Sequence, residues 1–294
     1  MPHMIPIGTL IPAADAVRII PQAAKLGFEC FAVQYWLTTG DTNVMEEAKR
    51  IREVAESNGT FISAIGMFGN PLWSEGQFAD TRASFERVIE AAPTMGAPIV
   101  AGFTGRLPEG SIPDSIPRFK EVWGDLAKRA ADKGLKIAWE NCDMGDTWRK
   151  GQWNMATTPD AWELLFDALP VDNIGLEWEP CHQMCHLIDP IPQLRKWAPK
   201  IFHLHGKDAT IAWDIIREHG IDGPVQAVHH RTPGFGDSNW ADIITILRQH
   251  NYQGTIDIEG YHDPVYRGEL EWTGQVRGLQ YLKDCRGGDY VPNL

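Results

Sequence analysis

The sequence lacks the features that mark several classes of protein. Its 294 residues contain no run of about 18 apolar residues that would span a membrane. Basic residues are fewer than acidic ones, 27 against 39, and the net charge is -12. That balance argues against nucleic acid or an anionic membrane as a partner, because both favour a basic face. The first residues show no basic segment followed by an apolar one, so we expect a cytoplasmic protein.

Cysteine is scarce, and its spacing excludes a disulfide framework. The five cysteines are an odd number without compact spacing, which indicates reduced thiols. Cys181 and Cys185 are separated by three residues, whereas a haem-attachment motif has two between its cysteines. A zinc knuckle needs a second Cys/His pair at matching spacing, which the sequence does not show. We therefore predict that these thiols pack near a pocket.

The sequence also has no internal repeat and no Ser/Gly/Pro-rich linker, so it predicts one domain. Short apolar runs typical of buried strands alternate with stretches of helical periodicity. The predicted strands are 5–8, 28–34, 61–67, 98–103, 135–140, 174–179, 201–205 and 255–259. The predicted helices are 13–26, 44–57, 79–92, 115–132, 159–169, 190–198 and 268–283, with Thr158 as the N-cap of the fifth. Eight such units predict an α/β fold, a (β/α)8 TIM barrel, with long loops at 141–157 and 207–238.

Four of the predicted strands end at a residue whose side chain commonly binds metal ions: Glu140, Glu179, His205 and Glu259. In such barrels, chemistry takes place at the C-terminal ends of the strands. Because strand side chains alternate, the residues two positions earlier, such as Glu177, share the same inward face. Inward carboxylates are costly unless they are paired or bind a cation. The sequence therefore predicts either a metal site or an ion-paired core.

The chemistry of the donor set indicates which ion would bind. Three carboxylates and one imidazole suit a hard or borderline cation. We expect one divalent ion, Mn²⁺ first, with Mg²⁺ or Co²⁺ as alternatives. A closed zinc site would have more cysteine or histidine ligands.

Several motifs resemble those of the xylose isomerase-like TIM barrel superfamily, the sugar phosphate isomerase/epimerase group that includes tagatose 3-epimerase. The motifs are Ala138–Asn141, Glu179–His182, His205–Asp208, Ile258–Glu259, and Arg231–Asp237 followed by Trp240. The resemblance covers most of the chain and is strongest from about 135 to 283. It implies a single barrel domain over residues 1–294 that forms a homo-oligomer, either a dimer or a tetramer.

The resemblance also implies roles for individual residues. Glu140, Glu179, His205 and Glu259 would be the metal ligands, and His182 and Arg231 would contact substrate oxygens. The family usually has Asp where this chain has Glu179, and the extra methylene makes this ligand the least secure. Lys207 and Asp208 are interpreted as an ion pair behind the ligands that orients His205.

The predicted activity follows from these roles. An ion that chelates a carbonyl and the adjacent hydroxyl stabilises an enediolate. Glu140 and Glu259, one on each side of the sugar, would then remove and return a carbon-bound proton. We predict a metal-dependent isomerase or epimerase of a keto sugar or related polyol, with neither the sugar nor the reacting carbon specified.

Three alternatives are considered, and the second of them, the endonuclease, is rejected because its ligands are missing. A lyase on the same site would cleave a 3-keto glycoside, usually with a small partner subunit. An apurinic endonuclease would need histidines after strands two to four, where the sequence has Gln34-Tyr35, Met67-Phe68 and Phe103-Thr104. A metal-free, sugar-binding barrel would not be an enzyme. Additional pocket candidates are His229, His230, Trp36, Phe68, Trp73 and Trp153.

Overall fold

The computed structural model is built around a closed barrel of eight parallel strands. It describes residues 4–288 and 291–292, so residues 1–3, 289–290 and 293–294 of the predicted domain lie outside the described residues. In the described chain the strands are β1 (Ile7–Pro12), β2 (Cys30–Trp36), β3 (Phe61–Phe68), β4 (Ile99–Gly102), β5 (Lys136–Glu140), β6 (Ile174–Trp178), β7 (Ile201–Gly206), β8 (Asp208–Ile211), β9 (Val228–Arg231) and β10 (Ile256–Ile258). The predicted (β/α)8 barrel is confirmed.

Helices alternate with the strands of the barrel. They are α1 (Ala13–Lys25), α2 (Val44–Ser57), α3 (Thr81–Met95), α4 (Ile112–Ala131), α5 (Pro159–Ala168), α6 (Pro180–Cys185), α7 (Pro190–Trp197), α8 (Trp213–His219), α9 (Trp240–Gln249) and α10 (Glu271–Arg286). The buried face of α4 includes Phe119, Val122, Trp123 and Leu126, at the spacing of an amphipathic helix. No helix in the described part of the chain is both long and apolar enough to cross a membrane.

Strand order follows the chain around the barrel, and the ends of the chain close it. β1 pairs with β2 on one side and with β10 on the other, at Ile7 opposite Ile256. β10 also pairs with β7, at Asp257 opposite His205. The short β10 therefore closes the barrel between β7 and β1.

The predicted loop 207–238 is wrong, because this segment folds into a hairpin. β8 and β9 pair antiparallel, with Asp208 opposite Arg231, and α8 lies between them. Neither strand is an apolar run, since β8 reads Asp-Ala-Thr-Ile and β9 reads Val-His-His-Arg, so the pattern of a buried strand is missing. The short helix α6 and the helix α9 were also not predicted.

Some helix boundaries differ from prediction for local reasons. α3 continues past Pro93 to Met95 and ends at Gly96, whose φ of 80° is a left-handed conformation that glycine adopts without strain. α4 begins three residues early because Ser111 and Asp114 form a capping box. Thr158 precedes α5 as predicted, but its side chain makes no capping hydrogen bond.

The inside of the barrel is divided into an apolar side and a polar side. The apolar side is made of small or aliphatic residues from β1 to β5: Leu10, Ala32, Ala64, Ile99 and Ala138. The polar side has Glu177, His203 and Asp257, all buried. A side chain at Gly8 would place its Cβ 2.0 Å from Asp257 Oδ1, so glycine leaves room for this carboxylate.

Loop 141–157 is held in a defined conformation by its own polar side chains. The Asp146 carboxylate accepts hydrogen bonds from the backbone N–H groups of Gln152, Trp153 and Asn154, at 2.7–2.9 Å. The Asn154 amide donates to the backbone oxygens of Glu140 and Cys142, at 2.8 and 2.7 Å. The loop therefore fixes the backbone on both sides of the end of β5.

Candidate metal centre and active site

The four strand-end residues converge at the C-terminal mouth of the barrel. Glu140 ends β5, Glu179 follows β6, His205 lies in β7 and Glu259 follows β10. One ligand atom from each lies within 4.8 Å of the others, and all four residues are buried. Two ligands on opposite sides of an ion with bonds of about 2.1 Å are about 4.2 Å apart, so the spacing fits one divalent ion. We call this group the ligand cluster.

His205 is the centre of the ligand cluster. Its Nδ1 lies 2.9 Å from Glu140 Oε1 and 3.3 Å from Glu259 Oε2. On the other side, Lys207 Nζ lies 2.5 Å from Glu259 Oε1, with both side chains buried. Glu140 and Glu259 therefore meet at His205 from two strands that are separated by β6 and β7.

Glu179 reaches the cluster through a backbone that is clamped to β5. The Asn141 side chain donates to the Glu179 backbone oxygen at 3.0 Å and accepts from its backbone nitrogen at 2.8 Å. The Glu179 side chain is fully buried, and its Oε1 lies 2.7 Å from His182 Nε2. The position of this carboxylate beside the other three supports Glu179 as a ligand despite its extra methylene, and its role stays a prediction.

Unpartnered polar atoms test whether these residues fit a cation. Both Glu179 oxygens, Glu259 Oε2 and His205 Nε2 are buried without a hydrogen-bond partner of acceptable geometry among the described residues. The His182 contact is close but not aligned as a hydrogen bond. A buried polar atom without a partner costs about 1–3 kcal/mol. A divalent cation would satisfy the carboxylate oxygens together, so the residues fit the predicted metal.

A second layer of buried charge lies directly beneath the ligand cluster. His203 bridges two carboxylates, with Nδ1 2.6 Å from Glu177 Oε1 and Nε2 2.6 Å from Asp257 Oδ2. Glu177 Oε1 also lies 3.2 Å from His205 Nε2. The ion-paired core weighed in the sequence analysis is therefore present here, one layer below the ligand cluster.

The pKa values of this layer keep its members charged. Burial alone would lower the pKa of His203, but hydrogen bonds to Asp257 and Glu177 raise it to about 9. Burial would raise the pKa of Glu177, yet the charges and hydrogen bonds of His205 and His203 lower it to about 2. The pKa of Asp257 is also lowered, by His203 and Thr255 against the effect of burial. The layer therefore carries fixed charges directly below the ligand cluster.

The two carboxylates assigned to proton transfer have different environments. Burial raises the pKa of Glu140 to about 7, against the opposing effect of His205. Burial also acts to raise the pKa of Glu259, but the ammonium of Lys207, followed by His205, holds it well below its ordinary value. The difference follows from Lys207, which contacts only Glu259 of the pair.

A cavity of about 690 Å³ opens above the ligand cluster. On one side its wall has Glu140, Glu259, His182 and Lys207, with Gln34 and Tyr261 nearby. On the other side are Leu10, Trp36, Phe68 and Phe103. Trp153 supports this apolar wall from behind, 5.7 Å from the Trp36 ring, while Trp73 is not among the described residues that line the cavity.

The remaining predicted residues have mixed placements. His182 lines the cavity, as its predicted substrate contact requires. Arg231 Nε lies 3.4 Å from Asp263 Oδ2, and Arg231 is not among the described lining residues, so its substrate contact stays a prediction. The prediction of a Lys207–Asp208 ion pair is wrong. Lys207 contacts Glu259, and Asp208 accepts hydrogen bonds from the backbone of Ala209 and Ser238.

Sequence analysis missed several residues at the cavity. Asn141 was part of a motif without an assigned role, and only the fold shows that it joins β5 to β6. All five cysteines are free, and Cys142 and Cys185 line the cavity, which confirms the prediction of thiols near a pocket. Of the two loop histidines, His230 lines the cavity and His229 is not among the described lining residues. No chain spacing could have joined His230 to Cys185, since the β8–β9 hairpin brings them together.

Comparisons with solved structures show the fold. The structure of 3-keto-D-glucoside 4-epimerase YcjR from E. coli superposes with a TM-score of 0.71 at 16% identity, covering 96% of this chain and all of that one. D-psicose 3-epimerase in the presence of D-fructose gives 0.70 at 17% identity, covering 97% of this chain and 100% of that one. At these identities the similarity is evidence for the barrel alone.

Sequence comparisons reach further. An inosose dehydratase from Clostridium botulinum (strain Alaska E43 / Type E3) is 28% identical over 260 residues, or 83% of this chain and 81% of the relative. The uncharacterized protein YfiH of Bacillus subtilis (strain 168) is 23% identical over 280 residues, covering 81% of this chain and 85% of the relative. The model of the family described as xylose isomerase-like TIM barrel matches residues 20–285. The chain therefore belongs to the xylose isomerase-like TIM barrel family.

Proposed function

We propose that the protein is a divalent-metal-dependent isomerase or epimerase of a keto sugar or related polyol. The main support is the position of Glu140 and Glu259, two carboxylates that meet at His205 on the floor of the cavity. Carboxylates in such a place can remove a carbon-bound proton and return it. The buried polar atoms that lack hydrogen bonds support a cation among them.

The ligand cluster is proposed to hold one Mn²⁺, with Mg²⁺ or Co²⁺ as substitutes. Glu140, Glu179, His205 and Glu259 supply three carboxylates and one imidazole, which suits these ions better than a closed zinc site. When bound, the ion would act as a Lewis acid for negative charge that develops on a substrate oxygen.

The residues of the chain perform the proton transfer. Glu140 and Glu259 come from β5 and β10, so a substrate held over His205 has one carboxylate on each side. One carboxylate takes the proton from the carbon next to the carbonyl, and the other delivers a proton to complete the change. Lys207, in contact with Glu259, orients that carboxylate and balances its charge.

The cavity wall suits a molecule with polar edges and an apolar face. Gln34, His182 and Lys207 offer hydrogen bonds to hydroxyl groups, while Trp36, Phe68 and Phe103 offer surfaces for the C–H groups of a sugar. His182 is proposed to contact a substrate oxygen, since it lines the cavity beside Glu179. A cavity of about 690 Å³ is large enough for a monosaccharide.

Proton exchange with solvent tests the proposal. A panel of free keto sugars is incubated in deuterated water with protein and with Mn²⁺, Mg²⁺ or Co²⁺ in turn. We expect deuterium at a carbon next to the carbonyl, detected by NMR, and none after treatment with a chelator. Lack of incorporation across the panel with every ion, in protein shown to bind metal, would contradict the proposal.

Elimination is the second candidate, and one observation favours it. Two relatives named inosose dehydratase each match 83% of this chain. The same proton removal beside a carbonyl leads to elimination when a leaving group at the β carbon departs with the electron pair. Water would leave from an inosose, and the aglycone would leave from a 3-keto glycoside. Formation of a conjugated enone, followed by absorbance, separates this reaction from epimerisation, which keeps every substituent.

A further inference from the structure

A second cluster of metal-seeking side chains lies beside the cavity, outside the ligand cluster. Cys181, Cys185 and His230 each place one ligand atom within 4.8 Å of the others. None of these three belongs to the ligand cluster, and the proton-transfer mechanism does not use them. The sequence gives no sign of the group, because His230 follows Cys185 only after the β8–β9 hairpin has formed.

The local fold explains why the three side chains meet. Cys181 and Cys185 are four residues apart on α6, so they lie on the same face of the helix. The hairpin packs on that face through a small apolar core of Cys181, Met184, Ala209 and Val228. His230 lies on β9, and its ring stands 5.2 Å from the ring of His182.

The distances agree with metal coordination. Cys185 Sγ and His230 Nε2 are 3.4 Å apart. In a tetrahedral zinc site, with bonds of about 2.3 Å to sulfur and about 2.0 Å to nitrogen, these two atoms lie about 3.5 Å apart. Little movement would be needed for both to bind one ion.

Burial sets the character of the site. Cys181 is fully buried behind the wall, whereas Cys185 and His230 are half-buried and line the cavity. His230 Nδ1 is buried without a hydrogen-bond partner among the described residues. A tetrahedral ion held by three protein ligands has a fourth coordination position open. That open position faces the cavity, because Cys185 and His230 line it.

We propose that Cys181, Cys185 and His230 form a second metal site, for a thiophilic divalent cation of the zinc class. Two thiolates and one imidazole select a softer ion than the carboxylates of the ligand cluster do. An ion there would join α6 to the β8–β9 hairpin and fix the wall of the cavity that contains His182 and His230. The site does not depend on the proposed sugar chemistry.

Cobalt is the probe that separates the two sites. Co²⁺ bound to thiolate gives a sulfur-to-metal charge-transfer band in the near ultraviolet, and Co²⁺ bound to carboxylates and imidazole alone does not. The reduced, metal-free full chain is titrated with Co²⁺. We expect the band to appear and to saturate at one equivalent for the thiol site.

Variants assign the band to its ligands. C185S is the main variant, because Cys185 is half-buried and a serine there should be tolerated, and it should abolish the band. H230A removes a ligand itself and should weaken cobalt binding by more than the roughly 10-fold to 100-fold that loss of a partner behind a ligand costs. C285S, which changes another half-buried cysteine on α10, is the matched control and should keep the band unchanged.

Three results would overturn the proposal. The first is the lack of a charge-transfer band in the wild-type protein at Co²⁺ concentrations that fill every site. The second is a band that persists in C185S with unchanged intensity. The third is loss of the band in folded E259Q, which changes only the ligand cluster and should leave the thiol site intact. Circular dichroism of each variant confirms that it is folded.

Discussion

The two halves of the barrel mouth differ in the kind of residue that ends each strand. On β1 to β4 the cavity is lined by Leu10, Trp36, Phe68 and Phe103, which we call the aromatic half. On β5, β6, β7 and β10 the strand ends hold the ligand cluster, which we call the charged half. The same division extends into the barrel, where small apolar residues on one side face Glu177, His203 and Asp257 on the other.

We propose that this division separates reactivity from recognition. Buried charges in the charged half pair with one another, as His203 does with the carboxylates of Glu177 and Asp257. The residues of the aromatic half that line the cavity include no carboxylate or imidazole that would compete for the ion. The comparison predicts that substitutions in the charged half change the rate or the metal, and that those in the aromatic half change substrate affinity.

The largest effect is expected from the acid/base carboxylates. E140Q and E259Q keep the size of the side chain but remove its ability to take a proton, so each should lower the rate of deuterium exchange about 10²-fold to 10⁴-fold. NMR of the exchange reaction measures this effect. E163Q, on the surface of α5, is the control. Near-normal exchange in both active-site variants would break the proposed division.

Metal removal should destabilise the whole domain. An ion at about 100 times its dissociation constant adds about 2.7 kcal/mol to the free energy of unfolding, which corresponds to a rise in Tm of about 5 °C or more. We expect Mn²⁺ to raise the Tm of chelator-treated protein, as measured by calorimetry. In E179Q most of this rise should disappear. An equal rise in wild-type protein and E179Q would remove Glu179 from the ligand cluster.

The buried layer should influence the ion without touching it. Glu177 lies between His203 and His205, so E177Q should loosen the His205 imidazole and lower Mn²⁺ affinity about 10-fold to 100-fold. Isothermal titration calorimetry measures the affinity. An unchanged affinity in folded E177Q would show that the layer only fills the barrel.

A substitution in the aromatic half should change substrate affinity with little change in the catalytic rate. Trp36 is about half exposed at the end of β2, so W36A should fold normally. Loss of its contact should raise KM about 2-fold to 10-fold while kcat stays nearly constant. W213A, at a similarly exposed tryptophan on α8, is the control. A fall in kcat that exceeds the rise in KM would contradict the separation of roles.

A substitution at the opposite end of the barrel should change stability and leave activity unchanged. Glu29 pairs with Arg286 at 2.7 Å and accepts from the Ile7 backbone at 2.8 Å; burial opposes these contacts, which nevertheless lower the pKa of Glu29. A lowered pKa stabilises the fold above the unfolded value of about 4.3 and loses that effect as the pH falls. E29Q should lower the Tm by a few degrees at neutral pH with unchanged activity.

The pH dependence of that difference is the decisive measurement. As the pH falls through the lowered pKa of Glu29, this carboxyl becomes protonated in the wild-type protein, so its Tm should approach that of E29Q. A difference in Tm that stays constant down to pH 3 would assign the effect to packing and not to charge.

Much of the fold was predictable because long elements repeat a simple pattern. The apolar runs that became β5, β6 and β7 each end at a polar residue, so both the strand and its exposed end were visible. α9 had a similar signal that was overlooked: Asn239 caps it, and Ile243, Ile244 and Leu247 form its buried stripe. The sequence therefore contains both the N-cap and the periodicity that define α9.

The hairpin marks the real limit of sequence analysis. β8 and β9 lack the apolar run of a buried strand, and the hairpin that they form packs on α6. Consequently His230 could be named as a pocket candidate but not joined to Cys185. Lys207 was misassigned for a related reason, because a chain neighbour such as Asp208 is easier to infer than Glu259, which comes from another strand.

The closure of the barrel by β10 has a consequence for the order of events in folding. Glu140, Glu179 and His205 come from the neighbouring strands β5, β6 and β7, whereas Glu259 joins them only when β10 has paired with β7. All four ligands therefore exist together only after this last strand of the barrel has docked. An ion bound by all four would favour the docked strand over a detached one. Amide hydrogen exchange of β10 would then slow when metal is added.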